Sequence, residues 1–258
     1  MKSIAILGNM NNAGFIWFRY FRDLGYSVNL YLFENDITGG LKHFRPECDS
    51  ESYEQYKDFI HHTSIRNGLV SSNALSDILY LIYAAKLNPI RLYKTLKTRV
   101  SIVKKISSSD LVITMGIGPT FLSRFNRNVD VFWPYASGVD NVETDLMHDA
   151  LKSNSLVKRK LASYTQKSQI RALRKSQLNI ITNNGLNAKV MKLHNLPFKI
   201  DVMPAIYIED HADLAKCEIS ETFTFVYHGR HHWVNDEGFD KETWFMRTKN
   251  TNYIIEAF

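Results

Sequence analysis

The stretch Ser3–Leu24 constrains the fold of this 258-residue chain more than any other. It opens with Ile4–Leu7, a short apolar run without a polar face, as expected of a strand buried on both sides of a parallel sheet. A polar loop follows, and apolar residues then recur at helical spacing up to Leu24. The next run, Ser27–Phe33, is again typical of a strand. This β-loop-α-β order predicts an α/β protein with a doubly wound, Rossmann-like parallel sheet.

The same alternation of strands and helices continues along the chain. Further strands are predicted at Asp110–Met115, Asp130–Pro134, Ser176–Thr182 and Ile200–Met203. Helices are predicted at Ser71–Leu87, with an apolar face that includes Leu75, Ile78 and Leu79, around Leu92–Val103, at Thr144–Lys175 and at Asn183–Leu193. The pair His61-His62 is expected on the surface, at the end of a short helical segment.

The composition of the last quarter predicts a domain boundary. Residues 1–205 are expected to form one Rossmann-like domain, and the acidic residues 206–221 are expected to form a linker. Residues 222–258 then contain one predicted strand, one loop and the start of one helix. Because such a unit cannot bury a core by itself, we expect it to be the incomplete beginning of a second Rossmann-like domain.

The loop after the first strand is a candidate ligand site. Parallel strands of this fold place their ligands at their carboxyl ends. The loop contains Gly8, Asn9, Asn12 and Gly14, and its N–H groups, together with the following helix terminus, could receive an anion or a hydroxyl-rich ligand. Alternatively, the two glycines serve only a tight turn and close helix packing. The sequence leaves both interpretations open.

Three other loops extend this candidate cleft. Gly116 and Gly118 follow one predicted strand, and Tyr135 follows the next. Small residues after a strand allow a ligand to approach the backbone closely. His43 lies in a long loop after the second strand, where it is either a substrate contact or simply exposed to solvent.

The sequence disfavours two common nucleotide motifs. The spacing of Gly8 and Gly14 does not match the dinucleotide fingerprint, and no Gly-Lys-Ser/Thr of a P-loop follows. Glu34 does stand after the second strand, where an acid that binds ribose would lie. An NAD-dependent enzyme is therefore a third-ranked hypothesis.

The positive charge is concentrated in two segments. The net charge is +6, and neither residues 86–105 nor residues 152–175 contain an acidic side chain. Both segments predict an anionic partner such as a membrane surface, unless they are only the solvated faces of surface helices. For the amphipathic helix around Leu92–Val103, packing against the sheet explains the apolar face equally well.

Several features predict a cytoplasmic protein. The two cysteines, Cys48 and Cys217, match no metal or redox spacing. No signal peptide is recognisable, and the longest apolar run, Ile78–Ala85, is too short to span a bilayer. Peripheral attachment to the inner face of the plasma membrane is the membrane-bound alternative. No nucleic-acid partner is expected.

Taken in order, the motifs GNMNNAG (8–14), LNIITNNGLNAKVMK (178–192), IDVMPA (200–205) and FTFVYHGR (223–230) give the chain a family resemblance. The chain resembles bacterial glycosyltransferases of the GT-B fold, in particular the retaining group that builds cell-envelope polysaccharides. The resemblance implies an acceptor-side domain followed by the truncated start of a donor-binding domain. It also implies a nucleotide-sugar substrate, a glycan or lipid-linked acceptor, and no metal or other cofactor.

The resemblance assigns roles to two cations. Arg230 and Lys249 match the residues that grip the donor diphosphate in that family, although Asn250 stands where the family usually has glycine. Two cations there would stabilise the negative charge on a departing nucleoside diphosphate. The resemblance does not assign a catalytic residue, and the fragment alone is expected to be a weak or inactive enzyme. The alternative is a non-catalytic, Rossmann-like module that binds a glycan or a partner.

Overall fold

A seven-stranded, wholly parallel sheet forms the centre of the domain, with the strand order β3-β2-β1-β4-β5-β6-β7. The computed structural model describes residues 2–34, 46, 53–66, 74–134, 139, 142–143, 145–181 and 186–200. All of them lie within one compact unit, Met1–Ala212. The predicted α/β class with a Rossmann-like parallel sheet is confirmed for this part of the chain.

The strands are β1 Ser3–Leu7, β2 Ser27–Leu32, β3 Ile60–His62, β4 Leu111–Thr114, β5 Val131–Phe132, β6 Leu178–Ile181 and β7 Lys199–Ile200. The helices are α1 Ala13–Asp23, α2 Tyr53–Tyr56, α3 Ala74–Ala84, α4 Pro89–Ser107, α5 Gly118–Ser123, α6 Asp145–Lys152, α7 Leu156–Lys175 and α8 Leu186–Leu193. Short 3-10 turns occupy Met10–Asn12 and Lys57–Phe59.

The central strand β1 buries both of its faces. Ile4 and Ile6 pack with Phe15 and Phe18 of α1 on one side of the sheet. Ala5 and Leu7 belong to the cluster on the other side, which includes residues of α4, α5, α7 and α8. Because successive side chains of a strand point to opposite faces, this division places helices on both sides of the sheet.

The strand order reverses next to β1. From β1 the chain adds β2 and β3 on one side of it, and then crosses to add β4 to β7 on the other. In open α/β sheets, ligands bind outside the carboxyl ends of the strands near such a reversal. The loops that follow β1 and β4 flank this reversal and are therefore the first part of the fold to search for a site.

Helices α3 and α4 form a hairpin, which we call the α3–α4 hairpin, and its orientation differs from the prediction. Leu75, Ile78 and Leu79, predicted to share the packed face of α3, are exposed. The helix buries Asp77 and Leu81 instead. The reason is that Asp77 forms ion pairs inside the domain, and these fix which face of the helix turns inward.

Other predicted elements also differ from the structure. His61 and His62 belong to the edge strand β3 and do not end a helix. Helix α5 was not predicted, and the predicted helix Thr144–Lys175 is two helices separated by residues 153–155. Ser155 caps α7 by accepting a hydrogen bond from the N–H of Lys158. The predicted linker and second domain lie outside the described residues, so those boundaries stay predictions.

Candidate functional site

The loop between β1 and α1 is closed by its own side chains. The side-chain oxygen of Asn9 accepts a hydrogen bond of 2.8 Å from the N–H of Phe15, in the first turn of α1. The side-chain amide of Asn9 donates to the side-chain oxygen of Asn12 at 2.9 Å, and both residues are buried. One of the helix N–H groups that an anion would use is thus already satisfied.

The glycines of this loop are required by packing. Gly8 has a φ of +105°, in the region that favours glycine. A Cβ on Gly14 would collide with the carbonyl oxygen of Gly8. This supports the turn and packing role that the sequence left open, and binding by these residues stays a prediction.

The loop after β4 lies beside the loop after β1. A Cβ on Gly8 would lie 3.1 Å from the Cβ of Met115, the residue before Gly116. The carbonyl oxygen of Gly116 accepts a hydrogen bond of 3.1 Å from the side chain of Gln169. At Gly118, a Cβ would lie 2.5 Å from the Cβ of Thr114. The structure therefore brings the predicted loops 8–14 and 116–118 together, in a tightly packed arrangement.

An open cavity lies on the other flank of the carboxyl edge, beside the α3–α4 hairpin. Its volume is about 550 Å³. Glu34 and His62 line it from the ends of β2 and β3, and Arg91 and Lys94 line it from α4. The remaining polar lining consists of hydroxyl-bearing residues, namely Thr63, Ser64, Tyr80, Thr95 and Thr98. We call this space the Glu34 cavity.

The carboxylate of Glu34 is held from α3. The Tyr80 hydroxyl donates a hydrogen bond of 2.9 Å to a Glu34 carboxylate oxygen. Burial, and then this hydrogen bond, raise the pKa of Tyr80, so its phenol stays protonated as a donor. The guanidinium of Arg66 lies 5.1 Å from the centre of the Tyr80 ring. These contacts fix the position of the carboxylate at the cavity wall.

A second cavity of about 500 Å³ adjoins α4 near the edge strand. Its lining includes Tyr31, His61, Lys97 and Lys105. Burial raises the pKa of Tyr31 to about 12. The pKa of His61 is lowered, chiefly by burial and then by the positive charge of Lys105. The His61 ring also forms a hydrogen bond of 2.9 Å with the side-chain oxygen of Asn29.

A buried cluster of charges anchors the hairpin behind these cavities. A carboxylate oxygen of Asp77 lies 2.7 Å from the guanidinium of Arg99 and 3.3 Å from that of Arg124. Arg99 also donates to the carbonyl oxygen of Ser64 at 2.5 Å. Burial lowers the pKa of Arg124, while the nearby charge of Asp77 raises it. The cluster therefore ties α3, α4, α5 and the end of β3 together.

Four predicted site residues, His43, Tyr135, Arg230 and Lys249, lie outside the described residues, and their roles stay predictions. Among the residues that are described, no group of three His, Cys, Asp or Glu side chains could hold a metal ion. The described helices also include none that is long and apolar enough to cross a membrane.

Comparisons with known proteins correct the expected identity. No family model and no curated protein matches the chain. One solved structure that matches is a short-chain dehydrogenase/reductase from Veillonella parvula, with 15% sequence identity over 70% of this chain and 69% of that chain, and a TM-score of 0.27. Because these comparisons returned no glycosyltransferase, the expected GT-B glycosyltransferase family, reaction and enzyme class are wrong. Of the motifs behind that resemblance, residues 8–14 form a closed loop before α1 that serves the packing of the fold.

Most residues that line the Glu34 cavity were not predicted from the sequence. Tyr80 and Ser64 were not singled out, and Arg91 and Lys94 were noted only as part of a basic segment. These residues come from three separate elements that only the fold brings together. One local signal did indicate the buried ion pairs beside this cavity, because a single acid, Asp77, interrupts a mainly apolar helix.

Proposed function

We propose that this domain binds a nucleoside phosphate in the Glu34 cavity. The observation on which the proposal rests is the juxtaposition, in one open cavity at the carboxyl edge of the sheet, of the Glu34 carboxylate with Arg91 and Lys94. A nucleoside phosphate contains a group for each of these: vicinal hydroxyls that donate to a carboxylate, and a phosphate that binds to cations.

The ribose is assigned to Glu34. An acid at the end of the second strand accepts hydrogen bonds from ribose hydroxyls in Rossmann-like nucleotide sites. Glu34 follows β2 directly after Phe33, and the Tyr80 hydroxyl holds its carboxylate. Hydrogen bonds to a carboxylate are stronger than those between neutral groups, and a carboxylate held in place costs less to order on binding.

The phosphate is assigned to Arg91 and Lys94. Two cations and one carboxylate give the charged side chains of the cavity lining a positive balance, which favours an anionic ligand. Arg91 can form two parallel hydrogen bonds to a phosphate, whereas Lys94 supplies a compact positive charge. The Thr95 and Thr98 hydroxyls on the same helix offer further donors.

A pyrophosphate at the start of α1, as in dinucleotide sites, is not part of the proposal. The N–H of Phe15 there is bonded to the Asn9 side chain, and the Gly8–Gly14 contact leaves no room for a larger residue. The third-ranked NAD hypothesis gains nothing from this loop, and the proposed ligand is a mononucleotide.

Titration calorimetry on the full chain tests the proposal with ADP, AMP, adenosine, inorganic phosphate and an uncharged disaccharide. We expect ADP to bind more tightly than adenosine or phosphate alone. Glu34→Gln should weaken ADP binding about tenfold and leave phosphate binding unchanged, since it removes one charged hydrogen-bond acceptor. Arg91→Gln should weaken ADP and phosphate by similar factors of about ten.

Lys160→Gln is the matched control, because it removes one exposed positive charge from α7, outside the cavity. It should leave all affinities unchanged. An equal loss of ADP affinity in Lys160→Gln and Arg91→Gln would indicate general charge attraction and contradict the proposal. Binding of the disaccharide without ADP, or the absence of any ADP binding, would also contradict it.

The cytoplasmic location expected from the sequence stays part of this proposal. A cytoplasmic nucleotide-binding protein should be recovered from the cytoplasmic compartment of lysed cells. Recovery from outside the cytoplasm would contradict that expectation and leave the affinities above as a separate question.

A further inference from the structure

The α3–α4 hairpin exposes an unusual amount of apolar surface. Ile78, Leu79 and Tyr83 are exposed on α3, and Leu87, Ile90 and Tyr93 are exposed on the turn and the first turns of α4. The last three are 81%, 66% and 66% exposed. Scattered apolar residues on a surface are ordinary, but six exposed ones within residues 78–93, on two consecutive helices and their turn, indicate an interaction site.

The apolar face of α4 does not pack against the sheet in its first half. Leu96 and Val100, which belong to the apolar face of this helix, are exposed, and burial begins only at Arg99, Ile102 and Val103. Packing against the sheet, the alternative that the sequence left open, therefore fails to explain the first half of this face. Both the apolar residues and the adjoining lysines of this half of the helix are therefore accessible to a partner.

The turn of the hairpin is a defined structure that points an apolar side chain outward. Lys86 and Leu87 have φ angles of 52° and 57°, a conformation that costs non-glycine residues free energy. The N–H of Leu87 donates to the carbonyl oxygen of Ile82 at 3.2 Å, and Asn88 caps α4 through the N–H groups of Ile90 and Arg91. The turn thus holds Leu87 at its tip.

Cations border the apolar face. Lys97 and Lys104 follow Tyr93 and Val100 by four residues, so each lies one helical turn further along the same side. No acidic residue occurs from 86 to 105. An apolar face bordered by lysines, with tyrosines among the apolar residues, matches the chemistry of an anionic bilayer surface.

We propose that the α3–α4 hairpin docks the protein onto an anionic lipid bilayer. Leu87, Ile90 and Tyr93 enter the boundary between headgroups and acyl chains, and Lys97 and Lys104 contact lipid phosphates. The hairpin lies in the interface and does not cross the membrane. This inference is independent of the nucleotide proposal, because none of these five residues lines the Glu34 cavity.

Charge complementarity favours a bilayer over a second copy of this chain. In a two-fold symmetric contact the same surface meets itself. The basic helix would then approach its own copy, with no acid between residues 86 and 105 to pair with its cations. Anionic headgroups supply the missing negative charge.

Co-sedimentation of the full chain with vesicles tests the proposal. Phosphatidylcholine vesicles, with and without phosphatidylglycerol, are the probes. We expect binding that requires phosphatidylglycerol and weakens with added salt. Lys97→Gln with Lys104→Gln should weaken it about fivefold for each cation removed. Leu87→Asn with Ile90→Gln should weaken it at least about tenfold.

The apolar variant is designed to keep the fold. Asn adopts the positive φ of position 87 more readily than Leu does, and both replaced side chains are exposed. Val157→Gln with Leu193→Gln, on α7 and α8, is its control, with exposures of 67% and 66% against 81% and 66% at Leu87 and Ile90. Lys189→Gln with Lys192→Gln is the control for charge, because these two exposed lysines of α8 lie outside both basic segments. Neither control should change binding.

Each of the other outcomes overturns the proposal. Equal binding to both vesicle types, equal losses in the α7 and α8 controls, or no binding at all would do so. Analytical ultracentrifugation tests whether a second copy of this chain occupies the face instead. A dimer that Leu87→Asn with Ile90→Gln converts to monomer, together with no vesicle binding, would assign the face to a second copy.

Discussion

Two flanks of the carboxyl edge of the sheet differ in how they are packed. On the α1 flank, Phe15 and Phe18 are fully buried and the loop before the helix is closed by Asn9. On the flank of the α3–α4 hairpin, a cavity of about 550 Å³ stays open, and Tyr83 and Leu87 are 80% and 81% exposed. Both flanks are built from helices rich in apolar residues.

The difference shows that apolar content does not by itself decide burial. Helix α1 lies directly over β1 and β2, so its aromatic side chains have a sheet to cover. The hairpin covers the sheet only with the second half of α4. Asp77 and Arg99 anchor it from within, and much of its remaining apolar surface faces solvent. The closed flank stabilises the fold, and the open flank is where we place both proposed ligands.

Paired aromatic substitutions should give the largest contrast between the flanks. Phe18→Ala should lower the free energy of unfolding by about 3–5 kcal/mol, because it leaves a cavity between α1 and the sheet. Tyr83→Ala, on the exposed face of α3, should change it by no more than about 0.5 kcal/mol. Urea denaturation measures both.

Phe18→Leu is the control for volume, since it keeps an apolar side chain at the site and should cost less than Phe18→Ala. A loss for Tyr83→Ala close to that for Phe18→Ala would show that the outer face of the hairpin is packed. The comparison between the flanks would then be wrong.

The ion pairs beneath the hairpin should give the next largest effect. Asp77→Asn leaves the buried Arg99 and the partly buried Arg124 without this carboxylate, and should cost about 3 kcal/mol. Glu54→Gln is the control, because it breaks an exposed pair with Lys57 and should have little effect on stability. Hydrogen exchange in Asp77→Asn should increase in α3 first. Unchanged exchange there would remove the anchoring role.

Because the loop before α1 is tightly packed, we predict a smaller loss of stability for a substitution there. Gly14→Ala should destabilise the fold by about 1–3 kcal/mol, since the new methyl group collides with the Gly8 carbonyl oxygen. Gly25→Asn provides a contrast, because a Cβ at Gly25 meets no atom within 4 Å and Asn tolerates its φ of +83°. If thermal unfolding shows Gly14→Ala to be the milder change, the loop is looser than described.

The sequence was sufficient to predict the architecture, because each buried strand is a short apolar run and each loop has turn residues. It failed at β3, where Ile60–His62 has no such run and pairs only at the edge of the sheet. It also failed on the face of α3, since the apolar residues of that helix surround it and only the partners of Asp77 decide which side is inward. Long-range pairings of this kind leave no local pattern.

A pH effect on the open flank is expected to be the smallest. Burial, and then Lys105 and His62, lower the pKa of His61 from its ordinary value of 6.5. The folded state therefore binds fewer protons there than the unfolded state does. The neutral His61 therefore stabilises the folded state above pH 6.5, and this stabilisation is lost as the pH falls through the lowered pKa. His61→Gln should flatten this part of the stability profile, and an identical profile would exclude the effect.

Hydrogen exchange of the full chain with and without saturating ADP tests most directly whether the open flank is the ligand site. We predict slower exchange at Glu34 and in the other segments that line the Glu34 cavity, namely residues 62–64, 80–85 and 91–98, and no change in residues 8–18. Protection confined to residues 8–18 would place the ligand at the start of α1 and contradict the account.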